Sequence, residues 1–276
     1  MAGGLSAEDI SLHDFQEALG RYSKHVRDDE LKELDTFRFE TMPKLIEERR
    51  QKRADLGSEE PILLITKEEL VKLVVWKLKH GTFRPKLKQL VESNDESEVH
   101  KLMQNLSVHK GQTKEKLQLL TQLKGIGPAT ASLVLSCTWP TQYPFFSDEL
   151  FRWIHWNGQH ADGTATGIKN GKGWSRPIGY TLKEYESLVL RSMDIQRRLS
   201  QDQELNFLDL EKVAYVLGKE RAEVELPMED MSSSQRKRSV EEAMGSQVGN
   251  SAKRSRPNMI ESAESTSRRS RTRKKL

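Results

Sequence analysis

The chain has 276 residues, enough for one large domain or two small ones, with 35% hydrophobic and 31% charged residues. A lone cysteine, Cys137, excludes an internal disulfide and any zinc or iron–sulfur site built from several thiolates; the spacing of His155 and His160 makes no metal site either, and no cofactor is expected. The net charge of +4 is uneven: residues 232–276 carry 12 Lys and Arg against 4 Asp and Glu, leaving 33 against 37 before them, a mildly acidic body with a basic tail.

Residues 1–6 read as a short lead without a secretion-signal layout. Leu12, Phe15, Leu19 and Tyr22 recur at helical intervals, Leu31, Leu34, Phe37 and Phe39 open a second series, and Pro43 starts a third helical segment. The run Arg49–Arg53 reads as a solvated helix end, and Gly57 to Pro61 as a linker. Ile62 to Ile65 has the composition of one short strand. Thr66 followed by Glu69 predicts a capping box at the head of a helix that buries Leu70, Leu73, Val74 and Leu78 and stops at Gly81.

Pro85 opens another helix. Across residues 71–91 six Lys and Arg occur with no acid, and Lys77, Lys79, Arg84, Lys86 and Lys88 interleave with Trp76 and Phe83. Such a stretch is either a nucleic-acid surface or a helix whose lysines face water. Further helices are expected over residues 95–110, 112–123, 128–137, 147–157, 182–199 and 208–220. Residues 158–179 hold six glycines and read as a long functional loop. No apolar run reaches 18 residues, so no membrane span is expected. The expected fold class is all-α, with a helical segment over 1–57, a helical domain over 58–226 and a disordered basic tail over 227–276.

The stretch Leu123-Lys124-Gly125-Ile126-Gly127-Pro128 carries the chemistry. Gly125 can close a helix in the left-handed conformation, Ile126 folds inward, and Pro128 starts the next helix. Bare N–H groups at a helix N-terminus form an anion site, to which Lys124 adds a charge; the same glycines also serve a plain αα-turn. Asp148 lies 21 residues beyond Gly127, and Ser147-Asp148 can equally act as an N-cap. Phe145, Phe146, Trp153, Trp156 and Trp174 are candidate walls for a base pocket or, alternatively, core residues.

LKGIGPATA, followed by the apolar SLVLSC and then Asp148, resembles the helix-hairpin-helix DNA glycosylase superfamily. The resemblance implies a phosphate grip at Lys124, Gly125, Ile126 and Gly127, and a catalytic role for Asp148 in N-glycosidic cleavage. Lyase-type members place a lysine where this chain has Ala129, so a monofunctional hydrolase is implied. The chain also departs from the family in lacking the iron–sulfur loop and in placing Glu149 after the aspartate. The expected partner is nucleic acid, duplex DNA first. A non-catalytic binding module of the same fold and a nuclear protein scaffold are the rival readings. Lys237-Arg238, Lys253–Arg256 and Arg268–Lys275 read as signals for the nuclear import machinery, or as phosphate-binding arms, and give the nucleus as the expected location.

Overall fold

The apolar series resolve into helices, and no strand forms among the described residues, which in this computed structural model are 6–157, 171, 173–200 and 205–225. The first expected helix pair is more finely divided: α1 (Leu12–Gly20), α2 (Tyr22–His25), α3 (Asp29–Thr36) and, after a π-helical turn over Phe37–Thr41, α4 (Met42–Asp55). Ser11 caps α1 by accepting from the Asp14 N–H, and Asp28 caps α3 by accepting from Leu31.

The capping box heads α5 (Lys67–His80) as predicted: Thr66 Oγ1 accepts from the Glu69 N–H at 3.2 Å, and the Glu69 carboxylate accepts from the Thr66 N–H at 2.8 Å. The same carboxylate takes a bidentate pair from Arg49 of α4, at 2.7 and 2.9 Å, so the expected solvated helix end is anchored there. Residues 62–65 form no strand. Their backbone is satisfied by side chains instead, with Ile62 N–H donating to Ser107 Oγ and the Leu64 carbonyl accepting from Arg49.

After α6 (Leu87–Glu92), α7 (Glu96–Val108) and α8 (Thr113–Leu120) comes α9 (Pro128–Thr138), buried at every position from Ala129 to Thr138. Its small and apolar residues let it be buried on all sides as the central helix, with α4, α5 and α8 packed about it and the hydroxyls of Ser132, Ser136 and Thr138 bonded back to its own carbonyls. Full burial of Leu133, Val134 and Leu135 stabilises by roughly 1.5–3 kcal/mol each. Then follow α10 (Asp148–Ile154), α11 (Leu182–Leu199) and α12 (Phe207–Glu225), the last packing on α1, α2, α10 and α11.

A buried polar network that no local pattern announces ties these layers together. Asp35 accepts from Tyr22 Oη at 2.7 Å and from Trp76 Nε1 at 2.6 Å. Arg38, on the π-helical turn and fully buried, donates to Ser136 Oγ at 2.7 Å and pairs with Glu211 of α12 at 3.3 Å. The pair ties the π-helical turn to α12, and the Ser136 bond ties the turn to α9; taking both charges out of water is costly, and burial pushes the Glu211 carboxyl up to about 7. Residues 1–226 form one compact unit, N-terminal helices included. The basic clusters of the tail and residues 158–170 of the glycine-rich loop lie outside the described residues.

Candidate functional site

Two local structures carry the expected site residues, and the second of them opens on a cleft. The first is the turn between α8 and α9. Gly125 has φ +78°, and a Cβ there would meet Val91 Cγ2 at 2.9 Å and Leu90 Cβ at 3.0 Å, so both backbone and packing require glycine. Ile126 is buried, as its place in the turn predicts. Asn94 clamps the turn from the α6–α7 junction: its Oδ1 accepts from the Lys124 N–H at 2.7 Å, and its Nδ2 donates to the Lys124 carbonyl at 3.0 Å. Gly127 is different. It is exposed and extended at the N-terminus of α9, and a Cβ added there meets nothing within 4 Å. The fold does not need a glycine at that position. The N–H groups of Gly125 and Gly127 have no hydrogen-bond partner among the described residues.

The second is the α9–α10 connection. Ser132 Oγ of α9 accepts from the Phe146 N–H at 2.9 Å, which pins the loop against the central helix. Ser147 then caps α10 by accepting from the Leu150 N–H at 3.1 Å. Asp148 is therefore the first helical residue and not the cap. Its side chain is 26% exposed and turns into a cleft of about 200 Å³.

Phe145 and Phe146 wall this cleft with Ala129, while Tyr180, Thr82 and Glu149 bring polar groups to it. Tyr180 Oη donates to Asp148 Oδ1 at 2.5 Å, and Arg152, one helical turn on, sits 3.4 Å from Oδ2. Tyr180 has φ +53°, a strained conformation for a non-glycine residue. It is held by Glu184, the third residue of α11 and the partner of the Thr181 cap in a capping box, whose carboxylate accepts from the N–H groups of Gly179 and Thr181 at 2.9 and 2.8 Å.

The rim is positive: Lys77 and Arg84 come from the basic stretch, Arg152 from α10 and Lys219 from α12. Burial, reinforced by Arg84, pushes the Lys77 ammonium below its ordinary range, and Asp148 partly opposes this. Burial raises the half-buried Glu149 carboxyl, and the charge of Asp148 adds to the rise. Burial and the bond to Asp148 push the Tyr180 hydroxyl upward, so it stays a donor across the physiological range. His80, at the back of the cleft, is stacked on Tyr215 and Trp76 and driven down by burial to about 3, hence neutral. A carboxylate fixed by two donors, flanked by aromatic walls and cations, can stabilise a cation that develops on a neutral ring system. At this size the cleft is below drug-sized pockets of roughly 300–1,000 Å³ and suits a single ring system.

The structure gathers Asp148, Phe145, Phe146, Lys77 and Arg84 in the cleft; Lys124, Gly125, Ile126 and Gly127 do not line it, and the turn they form precedes the lining residue Ala129 in the chain. The other expected residues lie elsewhere. Trp153 is fully buried in the core, because the cap at Ser147 turns that face of α10 inward. Trp174 packs edge-on against Trp156 at 5.6 Å and over Gly218. Lys79 points away to Glu30 at 2.6 Å, Lys88 pairs with Glu92 at 3.5 Å, and Lys86 is exposed. Tyr180, Lys219 and Asn94 had no sequence signal. Arg152 had one, in its four-residue spacing from Asp148. An exposed group of His13, Asp14 and Glu17 lies on α1, where Asp14 is engaged by the Ser11 cap. No protein-family model, curated protein or solved structure matches the chain.

Proposed function

We propose that this protein binds duplex DNA and removes a base by hydrolysis of the N-glycosidic bond, with Asp148 stabilising the cationic sugar and orienting the attacking water. The observation that carries this reading is the Asp148 carboxylate, freed from capping by Ser147 and held by Tyr180 and Arg152 in an aromatic, positively rimmed cleft. In this reading α8, the turn and α9 form a helix-hairpin-helix grip, with the free N–H groups of Gly125 and Gly127 and the charge of Lys124 taking a backbone phosphate. A base extruded from the duplex enters beside Phe145, Phe146 and Tyr180. The basic tail directs the protein to the nucleus.

The test is a screen of base release from duplexes carrying damaged or mismatched bases, wild type against Asp148→Asn. Loss of about 10²–10⁴-fold in release on substitution is the expected result. Release that survives the substitution would refute the mechanism. A second reading rests on a specific feature: both Asp148 oxygens already have protein partners, which suits a binding module without chemistry. Tight DNA binding with no base release from any duplex would select it.

A further inference from the structure

The basic run Arg49 to Arg53 has no part in the cleft at Asp148, and its members diverge. Arg49 is committed to Glu69, and Lys52 is exposed. Arg50 and Arg53, three residues apart and so on one face of α4, line a cavity of about 450 Å³ with residues of the 57–64 segment and Trp139 at the C-terminal end of α9. Ala129 on the wall of the Asp148 cleft and Trp139 on the wall of this cavity stand at opposite ends of α9, roughly 15 Å apart along its axis.

The lining divides by chemistry. Arg50 donates to the Thr138 carbonyl at 2.7 Å, its guanidinium stands 5.7 Å from the centre of the Trp139 ring, and the exposed Glu47 carboxylate is 3.7 Å away. Arg53 has one long contact, 3.5 Å to the Glu60 carbonyl, and no ion pair among the described residues. Each guanidinium carries a fork of N–H donors, most of which these contacts leave available to an anion. Ser58 Oγ accepts from the Glu60 N–H at 3.1 Å and keeps its own hydrogen to donate. Ile62, Leu64 and Trp139 form an apolar wall, and the exposed Glu59 brings a carboxylate. Burial pulls the Arg50 guanidinium below its ordinary value against the opposing charge of Glu47, a cost that a bound anion offsets.

We propose that this cavity binds a nucleoside monophosphate, with the phosphate on Arg50 and Arg53 and the ring against Ile62, Leu64 and Trp139. Two guanidiniums in one site match a dianion, and the planar fork of each suits phosphate oxygens. The apolar wall takes up a flat ring, which a bare phosphate lacks, and a carboxylate such as that of Glu59 accepts from sugar hydroxyls. The volume falls within the roughly 300–1,000 Å³ usual for small-molecule sites. This site is independent of the base-release reading, because it shares no lining residue with the Asp148 cleft.

The experiment uses the full chain and adenosine monophosphate, titrated by isothermal calorimetry beside adenosine and inorganic phosphate. One site per chain is expected for the nucleotide, bound about tenfold or more tighter than either fragment. Arg53→Ala, which gives up only the long contact to Glu60, is expected to weaken the nucleotide about tenfold. Lys52→Ala, one residue away and exposed, is expected to leave its affinity unchanged. Photolabelling of wild type with azido-adenosine monophosphate needs no variant to fold, and it is expected to mark residues 50–64 or Trp139. No binding of the nucleotide, binding unchanged in Arg53→Ala, or labelling confined to residues 77–84 and 145–152 would each overturn the assignment and leave the reading of the Asp148 cleft untouched. Adenosine bound as tightly as the nucleotide would overturn the phosphate grip, and inorganic phosphate bound as tightly would overturn the ring contact. Equal weakening in Lys52→Ala and Arg53→Ala would overturn the site in favour of general surface charge.

Discussion

The two glycines of the α8–α9 turn offer a clean separation of architecture from ligand contact. Gly125→Ala places a Cβ at φ +78°, a left-handed conformation that costs an L-residue roughly 1–2 kcal/mol. The same Cβ stands 2.9–3.0 Å from side-chain atoms of Val91 and Leu90, and overpacking of that kind adds roughly 1–3 kcal/mol. A destabilisation of about 3 kcal/mol is expected, which for a domain of this size lowers Tm by about 6–12 °C. Gly127→Ala is the counterpart. Its Cβ meets nothing and its backbone is extended, so the loss of a tolerated N-cap and the gain from a stiffer unfolded chain leave stability within about 0.5 kcal/mol of wild type. Its effect belongs to binding: a methyl beside the free N–H holds a phosphate off, and loss of a charge-assisted hydrogen bond of about 1.5 kcal/mol weakens DNA binding about tenfold. Denaturant unfolding reads the first quantity, and fluorescence anisotropy of a labelled duplex at several salt concentrations reads the second. If Gly127→Ala binds as wild type does, or unfolds as readily as Gly125→Ala, the phosphate-grip reasoning fails.

Arg84→Ala, which removes a cation from the cleft rim, is expected to reduce the slope of log affinity against log salt by about 0.9, whereas Lys79→Ala, already paired to Glu30, leaves it unchanged; anisotropy titrations distinguish them. His80 supplies a pH signature. Burial drives its folded value down to about 3, below its ordinary 6.5, so the stability it contributes is present above pH 6.5 and lost as pH falls towards 3, at about 1.4 kcal/mol per pH unit. The stability difference between wild type and His80→Gln should narrow as pH falls through that window; a constant difference would refute the neutral buried assignment. Asp148→Asn removes the charge and bond that, after burial, hold the Tyr180 hydroxyl up, so Tyr180 should ionise at lower pH in the variant, measured by tyrosinate absorbance. Because the wild-type hydroxyl is raised, its contribution to stability is whole below pH 10 and lost as pH rises beyond it.

What was legible in the sequence was what acts over a few residues. Thr66 and Glu69 meet within one helical turn, the glycine turn closes on Leu123 and Ile126, and the apolar run of α9 announces its own burial. The cleft itself was half-legible: Asp148, Phe145 and Phe146 follow the turn in order, and the basic stretch supplied Lys77 and Arg84. The remainder arrives from far along the chain. Tyr180 reaches Asp148 only because Glu184 bends the segment before α11, and Lys219 and Glu211 come from α12. Trp153 illustrates the opposite difficulty, since an aromatic residue on a short helix has the same composition whether it faces a pocket or the core. Arg38 is harder still: nothing in a charged residue between two phenylalanines foretells complete burial.

The division of labour between Ser147 and Asp148 also bears on how this chain can change over generations. Helix α10 owes its start to the serine, so position 148 can be replaced without dismantling the helix that carries it. Drift at position 148 is thus uncoupled from drift in the fold. In a lineage that has abandoned the chemistry, the aspartate is free to vary while the serine persists; a lineage that keeps both preserves the aspartate for what it does in the cleft.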